Sequence, residues 1–228
     1  MKIDRIEQIV SAKNVDLFYR IKSKDFVITP IGENLAHLKT NPGKTINNGM
    51  NLGALPSVAE LINYEIIKNL KLELINLNKI EYCIDIETPF KLVDNKHILK
   101  TFYKALIHFH YKRGKLDFIT DKNLNIENTH WKGLKGYKTD RSIKLYSKFE
   151  EKNIISETDL LRLELSFGKR TIEQNEINNI TNTEKARKEL LEFVLYCDET
   201  LLKNVNRYSK NTRITINLFK KKLIKNSL

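Results

Sequence analysis

Three short stretches, far apart in the chain, each alternate apolar and polar residues with the period of a β-strand. They are Tyr82-Cys-Ile-Asp-Ile-Glu87, Ser142-Ile-Lys-Leu-Tyr-Ser-Lys148 and Leu161-Arg-Leu-Glu-Leu-Ser166. Successive side chains on a strand point to opposite faces. Tyr82, Ile84 and Ile86 therefore oppose Cys83, Asp85 and Glu87. Ile143, Leu145 and Ser147 oppose Lys144, Tyr146 and Lys148, and Leu161, Leu163 and Leu165 oppose Arg162, Glu164 and Ser166. If the three strands share a sheet, one face is apolar. The other gathers carboxylates, a phenol and several cations.

The rest of the chain supplies helices to cover the apolar face. A capping box at Ser57 and Glu60 predicts a helix from Val58 to about Leu70. Asp94 opens a second helix, running to His110, with Ile98, Phe102, Ala105, Leu106 and Phe109 at helical spacing. Thr183 caps a third, from Glu184 to about Val205. Val15 to Tyr19 and Phe26 to Ile31 read as a hairpin, Thr40 to Pro56 as a loop and Leu116 to Thr120 as a short strand. The stretch from Arg207 to Leu228 is basic, densest at Lys220, Lys221 and Lys222. This order predicts an α+β fold, an antiparallel sheet with helices on one face and the charged face open. Three regions are expected: residues 1–78, a sheet core over 79–175, and a helix and basic tail over 176–228, all within one compact domain.

Composition narrows the function classes. A chain of 228 residues with 41% apolar residues builds a sizeable core. No run of 18 or more apolar residues is present, and the first residues lack the apolar centre of a secretory signal. Two cysteines, Cys83 and Cys197, are too few for a disulfide framework and suit a reducing compartment. Without a CxxC pair, a structural zinc site is not expected. The net charge of +12 favours a polyanionic partner. Of the 40 cations only nine are Arg, so part of that charge reflects Lys-rich residue usage rather than a binding surface.

The charged face carries the groups for phosphoryl chemistry. Tyr146, Lys148 and Glu151 follow the spacing Y-x-K-x-x-E. A tyrosine attacks phosphate well when its proton is removed and the charge on the phosphate is neutralised. Asp85 and Glu87, two apart on one strand face, suit a hard divalent cation, as does Glu164 in its apolar run. Solvated charges on amphipathic strands would give the same pattern, and Arg162 is an ordinary partner for Glu164. Trp131 and Tyr137 lie among Lys132, Lys135, Lys138 and Arg141, an interleaving of rings and cations that suits stacked bases and tracked phosphates, or a surface hairpin. His108-Phe-His110 would be a metal pair on a strand. On the helical pattern it occupies, the two positions diverge by about 200°.

Taken in order, Ile84-Asp85-Ile86, Leu145-Tyr146-Ser-Lys148-Phe-Glu-Glu151 and Leu161-Arg162-Leu-Glu164-Leu, with Lys169-Arg170 after, resemble the replication initiators of filamentous phages (the gene II/X family). The set is also similar to rolling-circle plasmid initiators of the Rep_trans type. The resemblance covers roughly Lys79 to Arg170. It implies a relaxase-like sheet and a nicking and strand-transfer enzyme in the cytoplasm of a bacterial host. Tyr146 would form a 5′-phosphotyrosyl link and leave a 3′-OH that primes synthesis. Lys148 would stabilise the transition state. Asp85 and Glu164, with Glu87 and Glu151, would hold Mg²⁺ or Mn²⁺. DNA at an origin, single-stranded or supercoiled, would meet Trp131, Lys132, Lys135, Tyr137, Lys138, Arg141, Lys144 and Arg162, and the host helicase and polymerase would be further partners. Two other readings remain open: a basic DNA-binding regulator without catalysis, and a histidine-metal HUH enzyme using His108 and His110.

Overall fold

The computed structural model describes residues 1–12, 23, 25–47, 52–110, 116–118, 133–138, 140–174, 177, 179–202 and 210–225. The expected strand at Val15 to Tyr19 lies outside them, as do Trp131 and Lys132. The chain divides into two compact units. One comprises Met1–Cys83 and Ser166–Thr183, the other Ile84–Leu165 and Glu184–Leu228.

In the first unit the strands are β1 (Lys2–Ala12), β2 (Phe26–Pro30), β3 (Leu35–Thr40) and the first part of β4 (Leu72–Thr88). They hydrogen-bond in the order β2-β3-β1-β4, with each neighbouring pair antiparallel. Helices α1 (Pro42–Ile46) and α2 (Pro56–Asn69) precede β4. Val10, Ala12, Ile28, Ala36, Leu38 and Leu72 form a buried cluster, against which Ile66, Ile67 and Leu70 pack from the end of α2. Burying such side chains stabilises the unit by about 1.5–3 kcal/mol each.

Three local expectations differ here. Helix α2 starts earlier than the capping box predicts: Leu55 is the N-cap residue, Pro56 opens the helix, and no side chain caps it. Proline's fixed φ suits the first helical position, where its missing N–H is no loss. The loop over Thr40 to Pro56 contains the short helix α1. β1 and the first half of β4 carry no clean polar alternation and were not anticipated as strands.

In the second unit the strands are the end of β4, β8 (Asp159–Gly168, through Leu165), β7 (Arg141–Ser147), β6 (Gly133–Lys138) and β5 (Leu116–Phe118). They are hydrogen-bonded in that order, with β5, β6 and β7 antiparallel. Three helices pack on one another: α3 (Lys96–His110), α6 (Glu184–Leu202) and α7 (Lys210–Lys225). Phe102 of α3 meets Phe193 of α6 edge-on, with ring centroids 5.8 Å apart, and lies 6.2 Å from Phe219 of α7. Asn211 donates to Asn95 at 2.8 Å and ties the start of α7 to the start of α3. The basic tail is thus an ordered helix, which its charge density hid from the sequence reading. Two four- to six-residue helices, α4 (Lys148–Glu151) and α5 (Lys169–Gln174), follow β7 and β8. The α+β fold with an antiparallel sheet and packed helices is what both units show. No helix among the described residues is long and apolar enough to cross a membrane.

A candidate phenol–carboxylate centre

The strand alternation places the predicted residues together. Tyr146 and Lys144 stand on one face of β7, Arg162 and Glu164 on one face of β8, and Asp85 on β4. Their side chains form one chain of contacts within the second unit. The Tyr146 hydroxyl donates to Oε1 of Glu164. The other oxygen of Glu164 accepts from Lys144 Nζ at 2.8 Å. Arg162 Nη1 lies 3.9 Å from Glu164 Oε1. The same guanidinium donates twice to Asp85, Nε to Oδ1 at 2.6 Å and Nη2 to Oδ2 at 2.8 Å. The fork geometry of arginine makes this two-point contact possible.

The charged face is closed at these residues rather than open. Arg162 is 0% exposed, Glu164 1%, Tyr146 3% and Asp85 7%. Buried charges persist when paired and hydrogen-bonded, and here each carboxylate has its cation. Lys148 departs from the strand reading, because β7 ends at Ser147 and Lys148 opens α4. It still reaches the tyrosine: Nζ lies 5.2 Å from the centre of the Tyr146 ring and 2.6 Å from Glu151 Oε2.

The strand-to-helix turn is held by a residue that the sequence reading missed. Asp159, buried at the start of β8, accepts from the Ser147 hydroxyl through Oδ1 and from the Leu92 main-chain N–H at 2.9 Å through Oδ2. It stands two residues before Leu161, outside the alternating stretch that drew attention. Glu81 was missed for a similar reason, since the alternation of Cys83, Asp85 and Glu87 extends back to it. In the first unit the Asp4 and Glu81 carboxylates lie within 4.8 Å of each other, and both are buried. Glu81 also meets Lys79 at 2.8 Å, Arg5 at 3.4 Å and the Ser166 hydroxyl at 3.2 Å.

The four predicted metal ligands do not form one ligand set. Both oxygens of Asp85 face Arg162, those of Glu164 meet Tyr146 and Lys144, and Glu151 holds Lys148. Glu87 is exposed. A hard divalent cation wants about six oxygen ligands, and Asp85, Glu151 and Glu164 each already meet a side-chain cation.

The predicted DNA contacts divide into three groups. Arg141 bonds Glu189 of α6 at 3.1 Å, while Lys144 and Arg162 serve Glu164 and Asp85. Lys135, Tyr137 and Lys138 lie on β6, where Lys135 stands opposite Lys144 in the ladder and Gly133 opposite Tyr146. Trp131 and Lys132 lie outside the described residues. His108 and His110 both fall within α3. Two positions apart on a helix are separated by about 200° around the axis, whereas a same-face histidine pair suits a strand.

A second tyrosine buried among the described residues has different company. Tyr82 packs edge-on against Phe167 at 5.8 Å and donates to the main-chain carbonyl of Asn182 at 3.4 Å. Burial pushes its phenol well above the usual range.

The chain resembles a solved structure. It is similar to the rolling circle replication initiator protein from Geobacillus stearothermophilus, with a TM-score of 0.42 and 11% identity over 80% of this chain and 78% of that one. No protein-family model and no curated protein matches the chain. The function has to be argued from the residues.

Proposed function

We propose that the chain is a replication initiator that nicks and rejoins DNA through Tyr146, of the kind its ordered strand motifs resemble. The observation that carries this reading is the hydrogen bond from the Tyr146 hydroxyl to Glu164, with Lys144 on the same carboxylate and Lys148 beside the ring. A phenol is a weak nucleophile until a base takes its proton. Glu164 Oε1 is placed to accept it. The phenol oxygen then bonds to phosphorus, the bond from phosphorus to the 3′ oxygen breaks, and that oxygen takes a proton from water to become a 3′-OH. Joining is the reverse: a 3′-OH attacks phosphorus and the tyrosine oxygen leaves, recovering its proton from Glu164. Lys144 and Lys148 supply positive charge where negative charge grows on the phosphate. Asp159 holds the Ser147–Lys148 turn, so it positions Lys148. Tyr146 is 3% exposed, so the chain must open around it for a phosphate to reach the oxygen.

A divalent cation, Mg²⁺ or Mn²⁺, belongs to the same proposal. The Asp4 and Glu81 carboxylates offer two close, hard oxygens in the first unit. Mn²⁺ binding that is lost in Glu81→Gln would identify the seat directly.

The burial of Tyr146 favours a second reading, a DNA-binding regulator in which the phenol and its carboxylate are a structural polar network. One experiment separates the two. The protein is incubated with supercoiled DNA of its own replicon and Mg²⁺ or Mn²⁺, and an adduct that survives SDS is sought. The enzyme reading expects an adduct that is absent in Tyr146→Phe and forms on the order of 10²–10⁴ more slowly in Glu164→Gln, with DNA binding retained in both. An undiminished adduct in Tyr146→Phe removes the nucleophile assignment. Salt-dependent binding with no adduct in the wild type supports the regulator.

A further inference from the structure

We propose that the outer face of α7 is a seat for the phosphate backbone of duplex DNA. This inference rests on the reading that the chain acts on DNA and adds the surface that holds the duplex.

The helix reads Lys210-Asn-Thr-Arg-Ile-Thr-Ile-Asn-Leu-Phe-Lys-Lys-Lys-Leu-Ile-Lys225, six cations and no acid in 16 residues. At about 100° per residue, Thr212, Thr215, Ile216, Phe219 and Leu223 share one side within an arc of about 100°. All five are buried. Lys210, Arg213, Asn217, Lys221 and Ile224 share the opposite side within about 80°, and all five are exposed. The helix is thus sorted cleanly into a packed side and a polar side.

Two of the other cations, Lys220 and Lys222, fix the helix. Lys220 bonds Asp198 of α6 at 2.5 Å, and Lys222 donates to the main-chain carbonyl of Asp85 at 2.6 Å. These ties, with Asn211 on Asn95, hold the helix at both ends. Lys210, Arg213 and Lys221 make no ion pair among the described residues. They span 12 residues, about 16 Å along the axis.

Charge complementarity decides the occupant. Three cations on a fixed line, flanked by an asparagine and free of neighbouring acids on the helix, fit a row of phosphates. A single strand is held chiefly by aromatic stacking, and the one aromatic residue of α7, Phe219, is buried. The stripe therefore suits the stacked, regular backbone of a duplex. Its contacts carry no base reading, so the affinity it adds is independent of sequence.

The test measures binding of the full-length protein to a duplex of arbitrary sequence over a range of salt. In the variant Lys210→Gln, Arg213→Gln, Lys221→Gln, the slope of log affinity against log salt should fall by about 2.7, at about 0.9 per cation. A control triple, Lys104→Gln, Lys185→Gln, Lys188→Gln, removes equally exposed cations from α3 and α6 and should change the slope by less than one. Circular dichroism and the unfolding midpoint confirm that both variants fold. The Tyr146 adduct on a short single-stranded oligonucleotide at saturating protein should survive in the α7 variant. An unchanged slope, an equal change in the control, or a loss confined to single strands overturns the proposal. Failure of the Tyr146 adduct in the wild type would count against the enzyme reading alone, because the salt slope is measured without chemistry.

Discussion

Replacing Arg162 by Met should be the most damaging single change to the phenol–carboxylate centre. The guanidinium is 0% exposed and makes both hydrogen bonds to Asp85, itself 7% exposed. Methionine fills much of the volume but leaves a carboxylate buried with no cation. Removing one partner of such a pair costs about 3–5 kcal/mol, a large share of the ~5–15 kcal/mol that stabilises a typical domain. At a slope of about 2 kcal/mol per molar urea, the midpoint should fall by about 2 M. Glu164 suffers less, because Lys144 and Tyr146 remain on it. The double variant Asp85→Leu, Arg162→Met, which removes both charges, should recover most of the loss. Urea titrations followed by circular dichroism at pH 8 provide the readout. A single-variant loss below about 1 kcal/mol at pH 8, or a double variant no better than the single, would refute the view that these charges are held by each other.

Two further changes probe the first unit and the helical core. Gly53 has a φ of +70°, and a Cβ there would stand 2.7 Å from Cys83 Sγ, so Gly53→Ala should destabilise by about 1–3 kcal/mol in thermal unfolding, and a neutral result would mean that the turn relaxes freely. Cys83 and Cys197 are both fully buried, and burial pushes the Cys197 thiol well up from its usual value, so the native protein should resist alkylation at pH 8 until urea opens it, whereas rapid labelling would show that the core breathes.

The site was legible where period-two alternation coincided with charged residues, and obscure where other forces set the geometry. The faces of β4, β7 and β8 follow from sequence because a one-residue slip would bury the wrong set. Alternation says which side chains share a face, but not which of them bond. Nothing in the spacing distinguishes Asp85 as a ligand for metal from Asp85 as the partner of Arg162, since both need only a carboxylate on the inner face. Lys148 was placed on a strand because the pattern runs through it, yet the bond from Ser147 to Asp159 marks the end of β7, and that bond joins residues 12 apart in sequence. α7 was read as a tail because cations dominate its composition, although Ile216, Phe219 and Leu223 already carried helical spacing.

Two tyrosines buried among the described residues show why the site has to be argued from partners and not from residue type. Tyr82 and Tyr146 both lie on sheet strands, and both are nearly inaccessible, at 0% and 3%. Tyr82 donates to a main-chain carbonyl and packs on a phenylalanine, with burial raising its phenol. A carbonyl is too weak a base to take its proton, and no step there gains from ionisation. Tyr146 donates instead to a carboxylate, and a lysine holds the far oxygen of that carboxylate. The proton has a destination, and the negative charge it would leave on the phenol has Lys148 5.2 Å from the ring centre. Electrostatic stabilisation of developing charge is the larger lever in phosphoryl transfer. On the proposed reading, that lever is present at Tyr146 and absent at Tyr82. The same contrast explains why the sequence alternation alone, which assigns both residues to strands, could select Tyr146 only through the lysines around it.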